Sequence, residues 1–290
     1  MGMVKAIYIN LYFGAGALGA AHALWALYNG GLDLAWLGVL IACAPIPLYL
    51  AWVYVLIPGP RTHEHLPQLM APAVLGTLLV ISQLDSPHAS VALLYSMGAG
   101  LINNLLYIYW YSVSAPPPVT LARGGQLPDF TLDDENGEPV TLSELNASYS
   151  LLMFFRGNWC PLCMAQVREV SRHYQALAER GTEVLLISPQ SSAHTAALAK
   201  RFDVPMRFLQ DPDNKMAKQF GILNKNGLPV GMDVLGYDRD NPHPTIILCD
   251  ANRRIISLEV SLNYRVRPEP QQYIEKIDAY EKVGGAAAAG

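Results

Sequence analysis

The uneven distribution of charge along the chain constrains its fold more than any other feature. Residues 1–114 contain only two basic and three acidic side chains, whereas residues 115–290 contain 18 basic and 21 acidic ones. Within the first part, four stretches carry no charged residue: 7–27, 34–57, 66–84 and 89–113. Each approaches or exceeds the ~20 residues that cross a bilayer as a helix. The pattern predicts a membrane bundle of about four α-helices in residues 1–113.

We expect this region to be an integral, multi-pass anchor with the lipid bilayer as its partner. Buried soluble helices and a cleaved signal peptide are the alternatives, but the number and length of the apolar stretches favour an anchor. An even number of spans places Lys5, Arg61 and Arg123 on one side, and Asp33 and Asp85 on the other. By the positive-inside rule, the C-terminal domain is then cytoplasmic. The net charge of −4 gives no indication of a nucleic-acid partner.

Two features predict how the bundle packs. Runs of small residues, FGAGALGAA at 13–21 and SMGAG at 96–100, allow helices to approach closely. Asn103 and Asn104 would be costly against lipid, so at least one of them is expected to bond to another helix.

The second part of the chain changes composition and periodicity. Residues 114–125, SAPPPVTLARGG, are expected to form a Pro- and Gly-rich linker. Strand patterns then alternate with helical ones, which predicts an α/β domain with a central mixed sheet over residues 126–284 and a tail at 285–290. A hairpin is expected at 128–145 around Asn136-Gly137. Strands are expected at 150–155, 182–188, 205–210, 244–250 and 254–260, and helices at 161–180, 191–202, 211–222 and 268–283.

The motif FFRGNWCPLC at 154–163 places a cysteine pair directly after a buried strand and at the start of a helix. The thiolate is the reactive form of cysteine, and a helix N-terminus favours that anion. Cys160 is therefore the candidate nucleophile, and Cys163, one turn later, the resolving thiol. Arg156 could add positive potential. Pro161 suits the first helical position, where its missing N–H is not needed.

Other uses of a cysteine pair fit the sequence less well. Zinc needs about four ligands, and no second pair of ligands follows the first. A structural disulfide at this spacing closes a very small loop and stabilises little. We therefore predict no metal and no bound cofactor, and a Cys160–Cys163 redox disulfide that an external thiol reductant restores.

Beyond the motif itself, residues 125–283 resemble a redoxin domain of the thioredoxin fold. The resemblance rests on PDFTLDDENGEPVTLSEL, the strand SLLMFF and WCPLC. The longer string FFRGNWCPLCMAQVREV, together with NYRVRPEP at 263–270, is most similar to the peroxiredoxin-like branch of the alkyl hydroperoxide reductase/thiol-specific antioxidant family. The resemblance implies that Cys160 is nucleophilic, that Cys163 resolves, and that Pro244 is a cis-proline beside the dithiol. Trp159 and Arg156 are predicted to support substrate binding.

The sequence departs from the pattern of that family at three positions. Typical peroxiredoxins have proline and threonine seven and three residues before the reactive cysteine, where this chain has Met153 and Gly157. Thioredoxins usually have a buried aspartate six residues before the first cysteine, where this chain has Phe154. The threonine that helps to orient peroxide is therefore missing.

These observations predict a membrane-anchored thiol-disulfide oxidoreductase that acts on a disulfide-containing protein, with a thioredoxin-like or other thiol as its reductant. A peroxiredoxin-like peroxidase acting on hydrogen peroxide or alkyl hydroperoxides is the second interpretation. A redox-inactive binding or assembly module on a membrane anchor is the third. Arg265 and Arg267 are assigned by default to surface or structural roles, with contact to an anionic substrate or the thiolate as the alternative. Cys249 is assigned to a strand core, with a second resolving role as the alternative.

Overall fold

The structure of the chain, a computed structural model, describes residues 2–53 and 62–287, with side chains described as far as residue 284. The chain divides into two compact units, Gly2–Ser114 and Ala115–Gly290. Arg61, which contributed to the expected orientation, lies outside the described residues, as do residues 288–290 of the expected tail.

The described residues of the first unit form four apolar helices. They are α1 (Met3–Gly30), α2 (Leu34–Ala51), α3 (Pro67–Ile81) and α4 (Ala89–Tyr111). By length and composition, α1, α2 and α4 could cross a membrane. The third expected span is shorter than predicted, because α3 begins at Pro67 and has 15 residues. At 1.5 Å per residue it is about 22 Å long, less than the ~30 Å hydrocarbon core.

Polar contacts inside this unit join α1 to α4. The Tyr12 hydroxyl donates to Asn104 Oδ1 at 2.7 Å, and Asn103 Nδ2 donates to the Tyr12 carbonyl at 3.1 Å. The expected bonding of the asparagines between helices is thus confirmed. Lys5 Nζ donates to the carbonyl of Val113 at 2.6 Å. The start of α1 and the end of α4 therefore lie at the same end of the bundle.

Small residues let the helices approach, as the sequence predicts. A Cβ atom added to Gly16 would lie 2.8 Å from Ile46, and one added to Gly100 would lie 2.9 Å from Ala42. Both distances are too short for an added methyl group, so the close approach to α2 depends on glycine.

The strands of the second unit are β1 (Thr131–Asp133), β2 (Pro139–Thr141), β3 (Tyr149–Phe154), β4 (Thr182–Ser188), β5 (Arg207–Gln210), β6 (Leu223–Asn224), β7 (Asn241–Pro242), β8 (Thr245–Asp250) and β9 (Ile255–Val260). Five of them form a mixed sheet of order β5-β4-β3-β8-β9. Strands β3, β4 and β5 are parallel, while β8 pairs antiparallel with both β3 and β9. This thioredoxin-like arrangement confirms the expected mixed sheet.

Each face of the sheet has its own core. One core contains Cys160, Cys163 and the inward face of the last helix, and the other contains Cys249 and the hairpin β1–β2. The hairpin turns at Asn136-Gly137 as predicted, with Gly137 at φ +85°. The helices are α5 (Pro161–Arg172), α6 (Tyr174–Ala178), α7 (Ser192–Ala199), α8 (Lys215–Gln219) and α9 (Pro270–Ala287).

Three boundaries differ from those predicted. The helix expected at 161–180 is interrupted at His173, where φ is −99° and ψ is 6°. The last helix continues to Ala287 and so includes residues assigned to the tail. The linker is also shorter than 114–125. Thr120 N–H donates to the Phe220 carbonyl at 3.1 Å and Gly124 N–H to the Ile255 carbonyl at 2.7 Å, so these residues are part of the domain.

Candidate active site

The cysteine pair lies where β3 passes into α5. Cys160 is the residue before the first turn, with extended backbone angles of φ −89° and ψ 109°, and Pro161 follows at the first helical position. Proline favours this position because its φ is already helical and its missing N–H would have no helical partner. The free N–H groups of the first turn, and the helix dipole, then favour negative charge near the Cys160 sulfur.

The two thiols are buried and coupled. Cys160 is 2 % exposed, Cys163 is fully buried, and neither forms a disulfide in this structure. A hydrogen bond from the Cys163 thiol is the largest cause that lowers the pKa of Cys160 to about 5, and the positive charges of Arg156 and Arg267 add to it. Burial, and the neighbouring Cys160, raise the pKa of Cys163. The pair therefore consists of one thiolate and one protonated thiol near neutral pH.

Arg156 is held near the cysteine pair by hydrogen bonds and ring contacts. Its Nε donates to Asn241 Oδ1 at 3.3 Å, and its Nη2 donates to the Gly227 carbonyl. The guanidinium carbon lies 4.7 Å from the centre of the Trp159 ring and 5.3 Å from that of Tyr264. Such stacking suits a planar cation with little access to water. The structure thus brings three of the predicted site residues, Arg156, Trp159 and Cys160, to one place.

A second arginine, which is charged, and a neutral histidine also lie near the cysteine pair. Arg267 Nη2 donates to Cys163 Sγ at 3.9 Å, so this residue is a site residue and not a surface arginine. Burial is the main cause that lowers the pKa of His243 to about 4, and the charges of Arg156 and Arg267 contribute. His243 is therefore neutral near pH 7. Only its position beside Pro244 could have drawn attention to it in the sequence.

Gly157 explains one departure from the peroxiredoxin pattern. Its φ is +133°, a backbone angle that residues other than glycine rarely adopt. A Cβ atom here would also lie 2.8 Å from Cδ1 and Nε1 of the Trp159 ring. The indole Nε1 donates to the Arg156 carbonyl at 3.1 Å, which fixes the ring over this backbone. A threonine at position 157 is therefore incompatible with this loop.

A further set of polar groups near Trp159 was not predicted. Asn158 N–H donates to Gln190 Oε1 at 2.8 Å, and the Tyr237 hydroxyl donates to Asn158 Oδ1 at 2.7 Å. The Tyr237 ring stacks on His194, with ring centres 4.5 Å apart. Asn158, Gln190 and Tyr237 come from three separate loops and His194 from α7, so the set forms no motif in the sequence.

The prediction of a cis-proline at Pro244 is wrong for this structure. No cis peptide bond occurs in the described part of the chain. Pro244 instead enters β8 in the ordinary way, and its carbonyl accepts from Ser261 N–H at 2.8 Å. Because Thr245 pairs with Phe154, Pro244 still lies at the end of the sheet that leads to the cysteines. The other cysteine of this unit, Cys249, lies on the opposite face of the sheet.

Comparison with known proteins agrees with this geometry. A family described as AhpC/TSA matches residues 124–257. This part of the chain, which we call the redoxin domain, is similar to the AhpC/TSA family. The family match therefore agrees with the resemblance stated for the motif, and it does not include the four apolar helices.

Individual relatives of the redoxin domain are peroxiredoxins. Peroxiredoxin Q of Arabidopsis thaliana is 34 % identical over 100 residues, which are 34 % of this chain and 46 % of that protein. Peroxiredoxin Bcp of Bacillus subtilis is 26 % identical over 140 residues, 48 % of this chain and 84 % of that protein. The chain spans about half the length of the first relatives that it matches.

Among solved structures, the redoxin domain is similar to peroxidoxin BcpB of Mycobacterium tuberculosis. The sequence identity is 23 % and the TM-score is 0.45. The match covers 55 % of this chain and 97 % of that one.

Proposed function

We propose that the redoxin domain is a thiol peroxidase that reduces hydrogen peroxide or a small alkyl hydroperoxide. The observation that carries the proposal is the burial of Cys160, which is 2 % exposed and has a lowered pKa. A peroxide is small enough to reach such a sulfur, whereas a protein disulfide needs an exposed one. Similarity to peroxiredoxins supports the same conclusion. Peroxide reduction thus replaces disulfide exchange as the favoured interpretation.

The proposed reaction has three steps. The Cys160 thiolate attacks the terminal peroxide oxygen, the O–O bond breaks, and the leaving alkoxide or hydroxide takes a proton to become an alcohol or water. The resulting Cys160 sulfenic acid is attacked by Cys163 sulfur, which releases water and forms the Cys160–Cys163 disulfide. An external dithiol, such as a thioredoxin-like protein, then reduces the disulfide and is itself oxidised. This step requires the oxidised pair to be more exposed than the reduced pair in this structure.

The surrounding residues have separate roles in this scheme. Arg156 and Arg267 stabilise the thiolate before attack and the negative charge that develops on the leaving oxygen. Cys163 has a raised pKa, so it stays protonated and does not compete for peroxide. Cys160 and Cys163 stand at the N-cap and third positions of α5, close enough for a disulfide to form within one turn.

The choice between the two activities is testable with one coupled assay. We expect the full-length protein, supplied with a thioredoxin and NADPH-dependent reductase, to consume NADPH rapidly with hydrogen peroxide. With insulin as the disulfide substrate, the rate in excess of that given by the thioredoxin system alone is expected to be lower by roughly tenfold or more, because the buried sulfur excludes insulin. Rapid insulin reduction without peroxide turnover would reverse the assignment.

We further propose that residues 1–113 anchor the redoxin domain in a membrane, with that domain in the cytoplasm. Three helices of sufficient length and low charge support the anchor, although α3 is short. The contact of Lys5 with Val113 places the two ends of the anchor together, as an even number of crossings would. The distribution of Lys5, Arg61 and Arg123 supports the cytoplasmic side.

Alkaline extraction tests the anchoring directly. Membranes from cells that produce the full-length chain are washed at high pH, which removes peripheral proteins but not spanning ones. We expect the chain to stay with the lipid pellet, because helices that span the bilayer bury far more apolar surface than a surface contact does. Release into the supernatant would contradict the proposal, independently of any activity.

A further inference from the structure

The loop between β6 and β7, residues 225–240, leaves the sheet next to the active site. We call this segment the β6–β7 loop. Its two ends are fastened together: Leu228 N–H donates to the Arg239 carbonyl at 3.1 Å, and Asn226 N–H to Asp240 Oδ1 at 2.8 Å. The loop is therefore a closed projection with a defined tip and not an open connection.

The inner side of the β6–β7 loop contacts the residues that surround Cys160. Arg156 donates to the carbonyl of Gly227, at one end of the loop. Tyr237, near the other end, donates to Asn158 at 2.7 Å, and its ring centre lies 6.5 Å from that of Trp159. The position of the loop is thus linked to the backbone that carries the reactive cysteine.

The outer side of the loop exposes aliphatic side chains. Val234 is 86 % exposed, Leu235 60 % and Val230 49 %. Among the described side chains of residues 115–284, five large hydrophobic residues are exposed, and these three fall within six positions of one another. Clustered exposure of this kind marks a contact surface more often than isolated exposure does.

The tip of the loop, residues 229–236, contains one charged residue, Asp233. Its charge is offset by Arg239, whose Nη2 lies 2.8 Å from Asp233 Oδ2. The short 3₁₀ turn Met232–Leu235 lies between Gly231 and Gly236, both with positive φ. A neutral, aliphatic projection can enter the boundary between lipid headgroups and acyl chains without placing an unpaired charge there.

The short connection between α4 and the redoxin domain also favours a lipid surface as the partner of the loop. Helix α4 ends at Tyr111, and Thr120 is already bonded to the redoxin domain. The residues between them reach about 30 Å at most when fully extended. If α4 crosses a membrane, that membrane is at a high effective concentration for any apolar surface on the domain.

We propose that the tip of the β6–β7 loop docks on the lipid bilayer that holds the chain's own helices. The proposal rests on the membrane anchoring proposed above. Val230, Val234 and Leu235 enter the headgroup boundary, while Gly227 and Tyr237 connect the docked loop to Arg156 and Asn158. Docking then holds the Cys160 site near the membrane surface, where small apolar hydroperoxides concentrate.

The first test measures contact with lipid. The full-length Leu235→Cys protein is labelled with an environment-sensitive fluorophore and reconstituted in phosphatidylcholine vesicles that contain a doxyl-labelled lipid as quencher. The four native cysteines are buried, so the label reacts with the introduced one. Val283→Cys is the matched control, since Val283 is 71 % exposed and lies on α9. We expect quenching at position 235 to exceed that at 283 by about threefold or more.

Two outcomes of that test would overturn the proposal. Equal quenching at the two positions would show that the tip has no preferred contact with lipid. A fluorescence change at 235 that depends on the number of protein chains per vesicle, and not on the quencher, would assign the tip to contact with a second copy.

The second test measures the consequence for catalysis. In the same vesicles, the Val234→Asp/Leu235→Asp double variant is compared with the unmodified chain. Turnover of cumene hydroperoxide, a small hydroperoxide that partitions into the bilayer, is expected to fall about fivefold or more because docking is lost, while turnover of hydrogen peroxide is unchanged. Equal loss with both peroxides would contradict docking. If the unmodified chain turns over neither peroxide, the proposed peroxidase function fails, and the quenching result still decides docking.

Discussion

Replacement of Cys160 by serine is expected to abolish peroxide consumption, with a loss of roughly 10³-fold or more. The hydroxyl that replaces the thiolate is not ionised near neutral pH and cannot attack the O–O bond. Replacement of Cys163 by serine is expected to give a different result. This variant should consume one equivalent of peroxide and then stop, because the sulfenic acid on Cys160 has no resolving partner. Stopped-flow peroxide consumption and trapping with dimedone distinguish the two variants.

Cys249→Ser is the matched control for the loss of a buried thiol. Cys249 is also fully buried, and burial is the main cause that raises its pKa to about 12. It lies in the core on the opposite face of the sheet from Cys160, so we expect full peroxide turnover in this variant. Sustained turnover by Cys163→Ser, together with its loss in Cys249→Ser, would assign resolution to Cys249 and contradict the proposed mechanism.

Replacement of Arg156 by methionine is expected to raise the pH at which Cys160 becomes reactive. The pKa of Cys160 is lowered to about 5, first by the hydrogen bond from Cys163 and then by the charge of Arg156. A positive charge favours the thiolate, so its removal moves the pKa upward. Peroxide reactivity rises with pH through this pKa. We expect the midpoint to move to about 6 or 7, so that the rate at about pH 5 falls roughly tenfold while the rate at about pH 8 changes much less.

Thiolate absorbance in the ultraviolet, followed against pH, measures this midpoint without reference to activity. Arg156→Lys retains the charge but loses the planar stacking on Trp159 and Tyr264, so its midpoint is expected between those of the parent and Arg156→Met. Arg172→Met, an exposed arginine at the other end of the same helix, is the control and should leave the midpoint unchanged. An unshifted midpoint in a folded Arg156→Met protein would show that the arginine does not act on Cys160.

The sequence was sufficient to predict those features that depend on neighbouring residues. Absence of charge over some 20 residues predicts an apolar helix from composition alone, and α1, α2 and α4 agree with it. The candidate cysteine pair can likewise be recognised in the sequence, because a buried strand, Cys160, Pro161 and a helical pattern follow one another directly. The hairpin at Asn136-Gly137 is another such case, since a turn depends on adjacent residues.

Predictions were less successful where an assignment was transferred from a family pattern or depended on distant residues. Pro244 has the position expected of a site proline but a trans peptide bond. The linker 114–125 has the composition of a flexible segment, yet Val119 and Leu121 pack on the core that contains Cys249. Composition describes what a segment does in isolation, and burial against another part of the chain changes that behaviour.

The sequence indicated positive charge from Arg156, but the other charged and polar groups around the cysteines were decided by the tertiary structure. Arg267 and Cys163 are 104 positions apart, and Arg156 and Asn241 are 85 positions apart. These contacts depend on the antiparallel register of β3 with β8 and on the paths of the loops that follow. Periodicity in a sequence reports which side of a strand or helix is buried, but it holds no information about which distant side chain will face it. The sequence therefore determined which thiol is the candidate nucleophile, whereas the fold determined most of the groups that surround it.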